Sequence, residues 1–105
     1  MARKKGLVGS LDDVLAVIEK NKATLRERHG ITDIAVFGSY VRQEAKPGSD
    51  IDIFVDFKEG FKTFRNYMRL RSFLEKETGR KVDLAIKESI REELKSRILQ
   101  EAVHA

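Results

Sequence analysis

Apolar positions recur along this chain in blocks whose spacing switches between helical and alternating. Leu11, Val14, Leu15, Ile18 and Leu25 fall on one stripe at a period near 3.6, which predicts an amphipathic helix from about residue 11 to 29. Ser10 is placed to cap it, Asp12 and Asp13 complement the dipole in its first turn, and Gly30 suits the position just past its end. Ile34-Ala35-Val36-Phe37 reads as a short buried strand that stops at Gly38-Ser39. Residues 40–49 are polar and contain Pro47-Gly48-Ser49, so a turn is expected there. In 51–56, Ile51, Ile53 and Val55 alternate with Asp52, Phe54 and Asp56, the period of a second strand. Phe61, Phe64, Tyr67, Met68 and Leu74 give a second helix, about 61–77, a broad apolar side, with Gly79 as its stop. Residues 81–86 are the third strand, and Ser89 with Glu92 has capping-box spacing for a last helix carrying Ile90, Leu94, Ile98 and Ala102. The order α-β-β-α-β-α predicts an α+β fold: a small mixed sheet of about three strands with helices packed on one face, the other face left open for a site.

Composition narrows the class. At 105 residues the chain is a single domain, 1–105, in which 1–9, with Arg3-Lys4-Lys5, is expected to form a flexible basic tail. The absence of cysteine excludes disulfides, zinc–thiolate sites and thiol nucleophiles. No apolar run approaches the roughly 20 residues of a membrane span. The basic start lacks an apolar segment behind it, so it does not read as a signal peptide, and a cytoplasmic location is expected. The net charge of +4 fits a solvated surface whose basic residues alternate with acids. Nucleic acid ranks low as a partner, because there is neither a basic helix stripe nor an aromatic-rich strand.

Three carboxylates interrupt the strand pattern. Asp50 and Asp52 are two residues apart, so on extended chain they point to one face while Ile51, Ile53 and Val55 point to the other. Asp83 interrupts the third strand in the same way, opposite Val82, Leu84 and Ile86. If the two strands are neighbours, three acids share the open face. Any single Asp on such a face is ordinarily just solvated; three in this alternation repel one another unless a cation sits between them. Oxygen-rich clusters of this kind suit Mg²⁺, and a pair of such ions can clamp the attacking and leaving oxygens of a phosphoryl displacement. Gly38-Ser39, at the end of the first strand, would offer backbone N–H groups and a hydroxyl to phosphate oxygens. Taken alone, a Gly-Ser pair marks an ordinary turn.

Gly38-Ser39, a ten-residue gap, Asp50-x-Asp52 and Asp83 in a later apolar strand together resemble the nucleotidyltransferase fold shared with DNA polymerase β. More closely, nearly the whole chain is similar to the minimal nucleotidyltransferase (MNT) branch, the antitoxin half of HEPN–MNT toxin–antitoxin pairs. The resemblance implies that Gly38 and Ser39 hold the triphosphate and that Asp50 and Asp52 ligate two Mg²⁺ ions. Asp83 would complete the metal site and help activate the attacking hydroxyl. It implies transfer of AMP from ATP to a tyrosine hydroxyl of a HEPN toxin, silencing the toxin. The alternative is a non-catalytic antitoxin that neutralises its partner by contact. Nothing follows the last helix to enclose a second substrate, so a macromolecular acceptor is expected to complete the site from outside, in a homo- or hetero-oligomer.

Other polar residues carry two readings each. Arg42 could reach a phosphate or serve as an ion-pair partner; Ser49 could bond a phosphate, though capping the turn is the commoner role. Lys46 and Lys87 could aid nucleotide binding, but solvated lysines are the norm. His29 and His104 read as favourable charges at helix C-termini or as residues with no special role. Phe61, Phe64 and Tyr67 read as core.

Overall fold

The computed structural model describes residues 8–105. The elements are helices α1 (Leu11–Lys20) and α2 (Lys22–His29), strand β1 (Ile31–Phe37), a 3₁₀ turn (Gly38–Tyr40), strand β2 (Ile51–Phe57), helix α3 (Phe64–Thr78), strand β3 (Val82–Ile86), a second 3₁₀ turn (Lys87–Ser89), helix α4 (Glu92–Glu101) and strand β4 (Val103–His104). The four strands form one mixed sheet in the order β3-β2-β1-β4. β1 runs antiparallel to β2 and to β4, whereas β2 and β3 are parallel, with α3 as the crossover that parallel neighbours require.

The core lies between one face of the sheet and α1, α2 and α3. Val14, Ile18, Leu25, Leu70 and Leu74 from the helices are buried against Ile34, Val36, Ile51, Ile53, Val55, Val82 and Leu84 from the strands. Alternation along each strand thus commits one set of side chains to this core and leaves Asp52, Phe54, Asp83 and Ala85 on the opposite face. That face is not bare. Phe54 is fully buried there, its ring flanked by Phe37 and by the edge of His104.

Several expected boundaries move. The first helix is broken at Asn21, whose side-chain amide bonds the Val17 carbonyl at 2.8 Å and Glu77 at 3.2 Å. The apolar stripe nevertheless stays in phase, because Ile18 and Leu25 are both buried. Ser10 does cap α1, accepting from the Asp13 N–H at 3.2 Å. α3 starts later than expected because Thr63 caps it, accepting from the Asn66 N–H at 3.1 Å. Phe61 therefore lies outside the helix, and Phe64, expected in the core, is 80% exposed. Ser89 closes a 3₁₀ turn instead of capping α4, which begins at Glu92 with no side-chain cap.

Val103 and His104 form the fourth strand, an edge pairing with β1 through Ala35 and Val36. Of the expected basic tail 1–9, residues 1–7 lie outside the described residues. Val8 is part of the core, its N–H donating to the Thr78 carbonyl at 2.9 Å and its carbonyl accepting from Arg80 Nε at 2.9 Å. No helix among the described residues is long and apolar enough to cross a membrane.

Candidate active site

Register brings the aspartates together. Asp52 of β2 is the direct partner of Asp83 in the parallel β2–β3 ladder and of Phe37 in the antiparallel β1–β2 ladder. Directly opposed residues in a ladder point to the same face, so Asp52 and Asp83 stand side by side. Asp50 sits one residue ahead of β2, exposed at its mouth, where the Ile51 N–H is tied to the Lys81 carbonyl at 2.9 Å.

The proximity has an electrostatic consequence. Partial burial, then the charge of Asp83, then that of Asp50, push the Asp52 carboxyl up from 3.8 to about 6. The Ser39 backbone N–H and the charge of Arg42 work in the opposite direction without cancelling the rise. Among the described residues, no Lys, Arg or His forms an ion pair with Asp50, Asp52 or Asp83. A repelling, unneutralised group of carboxylates fits a hard divalent cation that would relieve the repulsion and keep open positions for water and phosphate oxygens. Among the described residues, no three His, Asp or Glu side chains stand close enough together to hold a metal ion as they are placed.

The turn after β1 is fitted to Asp52. Gly38 has φ of 77°, and a Cβ built on it would lie 2.1 Å from Asp52 Oδ2. Only glycine allows the backbone to pass over the carboxylate in this way. The Gly38 N–H donates to Glu101 Oε2 at 2.8 Å, and Arg42 Nη1 reaches both Glu101 carboxylate oxygens at 3.0 and 3.2 Å. Arg42 Nε also pairs with Glu44 at 3.1 Å. In this structure, then, Arg42 is an ion-pair partner. Ser49 is a turn cap, its hydroxyl accepting from the Lys46 N–H at 2.8 Å, and it contacts neither Asp50 nor Asp52 through that bond.

Lys87 lies apart from the cluster, 3.5 Å from Asp33, which also bonds His104 Nδ1 at 2.9 Å. His104 accordingly sits on an edge strand, not at a helix end. His29 ends α2 but is buried against the ring of Phe73, and burial holds its pKa below the ordinary 6.5. It is a buried core residue whose charged form burial disfavours, and not a helix-capping charge. The residue that sequence reasoning missed is Glu101. Its one signal is an acid at a helix C-terminus, where the dipole disfavours it, in a last turn with no basic residue.

The site is open. Asp50 and Asp83 are exposed, and a cavity of about 320 Å³ lies elsewhere, between the start of α1 and Tyr40, Gln43 and Ala45.

Comparison with known proteins identifies the family. A sequence model described as "Nucleotidyltransferase domain" matches residues 18–104. Protein adenylyltransferase MntA of Thermococcus cleftensis is 40% identical over 95 residues, spanning 90% of this chain and 95% of that protein. A solved minimal nucleotidyltransferase shares 35% identity at a TM-score of 0.71, covering 90% of this chain and 98% of that one. The same fold recurs at 23% identity and a TM-score of 0.66 in a toxin–antitoxin structure with AMP-PNP, covering 82% of this chain and 70% of that one. This chain belongs to the nucleotidyltransferase domain family and is itself a nucleotidyltransferase of the minimal type.

Proposed function

We propose that the protein transfers AMP from ATP to a hydroxyl of a partner protein, a tyrosine on a HEPN-type toxin, and so acts as the antitoxin of the pair. The observation that carries this reading is the pairing of Asp52 with Asp83 beside a glycine turn seated on the Asp52 carboxylate. The name of the Thermococcus relative, a protein adenylyltransferase, supports a protein acceptor. So does the openness of the site.

In this reading, Asp50, Asp52 and Asp83 hold divalent magnesium. When bound, the metal supplies charge neutralisation for the phosphate oxygens at the reacting phosphorus. The Gly38 N–H and the Ser39 hydroxyl position the β- and γ-phosphates. The acceptor oxygen attacks the α-phosphorus, the bond from that phosphorus to the α,β-bridging oxygen breaks, and pyrophosphate departs. Asp83, which is exposed, takes the hydroxyl proton. Holding the two reactants in line supplies most of the acceleration such a small domain can offer.

The test is to incubate the protein with Mg²⁺, each of the four NTPs and the product of its neighbouring gene, then weigh that partner intact. The expected result is a gain of whole AMP units with ATP and none without Mg²⁺. An unchanged partner mass with every nucleotide would contradict catalysis on that acceptor.

A further inference from the structure

Glu101 is held at the glycine turn by two donors. Its carboxylate takes the Gly38 N–H at 2.8 Å and both oxygens lie within 3.2 Å of Arg42 Nη1. The arrangement is an anion held by a backbone donor and a guanidinium, which is how a phosphate oxygen pair is held. An N–H has one proton, so Gly38 cannot give a good hydrogen bond to Glu101 and to a phosphate together. A triphosphate beside an unmoved Glu101 would also face a like charge in contact with its own subsite.

Holding Glu101 there runs against local preference. It is the last residue of α4, where the helix dipole disfavours an acid, and that turn has no basic residue. The unfavourable placement is offset by Gly38 and Arg42. Release does not require the end of the chain to detach, because the residues that follow are anchored separately: Val103 and His104 pair with β1, and the Ala105 N–H donates to the Ile34 carbonyl at 3.1 Å. A side-chain rotation of Glu101 would vacate the Gly38 N–H and release Arg42 Nη1, leaving Arg42 Nε on Glu44.

We propose that Glu101 is an internal competitor for the triphosphate: it fills the Gly38–Arg42 anion subsite in the nucleotide-free protein and must leave for NTP to bind. This rests on the assignment of Gly38 to triphosphate binding made above. The occupant class is a polyphosphate, because AMP carries no β- or γ-phosphate to claim the subsite. A protein in which the competent form is a tenth of the population shows an apparent affinity about tenfold below its intrinsic one.

The test is calorimetric titration of ATP, inorganic tripolyphosphate and AMP, each with Mg²⁺, into the full-length wild type, Glu101→Ala and Glu101→Gln. Glu101→Ala is expected to bind ATP and tripolyphosphate about tenfold more tightly than wild type, with AMP unchanged. Glu101→Gln keeps the shape and the N–H acceptor but loses the charge; it is expected to gain by a smaller factor, and it guards against a folding defect in the alanine variant. Equal affinity across the three proteins, or weaker binding by both variants, would overturn the competition and make Glu101 a residue that merely positions Arg42. If wild type and variants alike bind neither ATP nor tripolyphosphate, the triphosphate role of Gly38 fails, and this inference falls with it.

Discussion

Asp52→Asn is expected to lower AMP transfer at least about a thousandfold, on the order of 4 kcal/mol of transition-state stabilisation, while making the metal-free protein more stable. The two effects have one cause. Asp52 is held half-buried between Asp83 and Asp50, and its carboxyl is raised from 3.8 to about 6. A carboxyl whose pKa is higher folded than unfolded binds its proton more tightly in the native state. Stability therefore falls as pH rises through the window from about 4 to about 6, then levels off. The rise corresponds to about 3 kcal/mol; solvent screening of a half-exposed group reduces that to about 1–2 kcal/mol.

Thermal unfolding in chelator should then show Asp52→Asn melting several degrees above wild type at pH 8, with the gain shrinking below pH 6 and absent near pH 4. A variant that is inactive because it misfolds would melt lower at every pH. The same variant separates the two antitoxin readings. If it still binds the toxin but no longer neutralises it, neutralisation is catalytic. If neutralisation persists unchanged, the protein acts by contact.

Gly38→Ala is expected to cost about a hundredfold in transfer, together with about 1–3 kcal/mol of stability. The added methyl would sit 2.1 Å from Asp52 Oδ2 on a backbone at φ 77°, so either the turn or the carboxylate has to move. Gly60→Ala separates strain from clash. Gly60 has φ of 90° with nothing within 4 Å of the built Cβ, so that variant bears the backbone strain alone. Steady-state transfer rates and urea melts of both variants check this: Gly60→Ala should be mildly destabilised and fully active. Comparable activity loss in the two would remove the special role of the Gly38–Asp52 contact.

The parts of this fold that were legible in the sequence are those written in a period. Alternation of Ile51, Ile53 and Val55 with Asp52 assigns the aspartate to the face away from the helices, and the same holds for Asp83 among Val82 and Leu84; the strand register then makes the two neighbours. Competing local bonds hid the rest. Asn21 breaks a helix whose apolar stripe continues through it, because its amide finds partners in Val17 and Glu77. Thr63 displaced the expected start of α3, and Phe64, its first residue, lies in solvent. A two-residue edge strand at Val103–His104 is too short to carry a period, and its pairing depends on where α4 ends. Arg42 and Glu101 lie fifty-nine residues apart, and no local pattern announces that bond.

That Asp83 shares one site with Asp50 and Asp52 is tested most directly by titrating ATP into wild type and Asp83→Asn in the presence and absence of Mg²⁺. Wild type should bind ATP in a Mg²⁺-dependent way, and Asp83→Asn should bind at least about tenfold more weakly, a change of about 1.4 kcal/mol, with most of the Mg²⁺ dependence gone. Equal affinity and an undiminished Mg²⁺ requirement in Asp83→Asn would place that carboxylate outside the site and contradict the three-aspartate assignment.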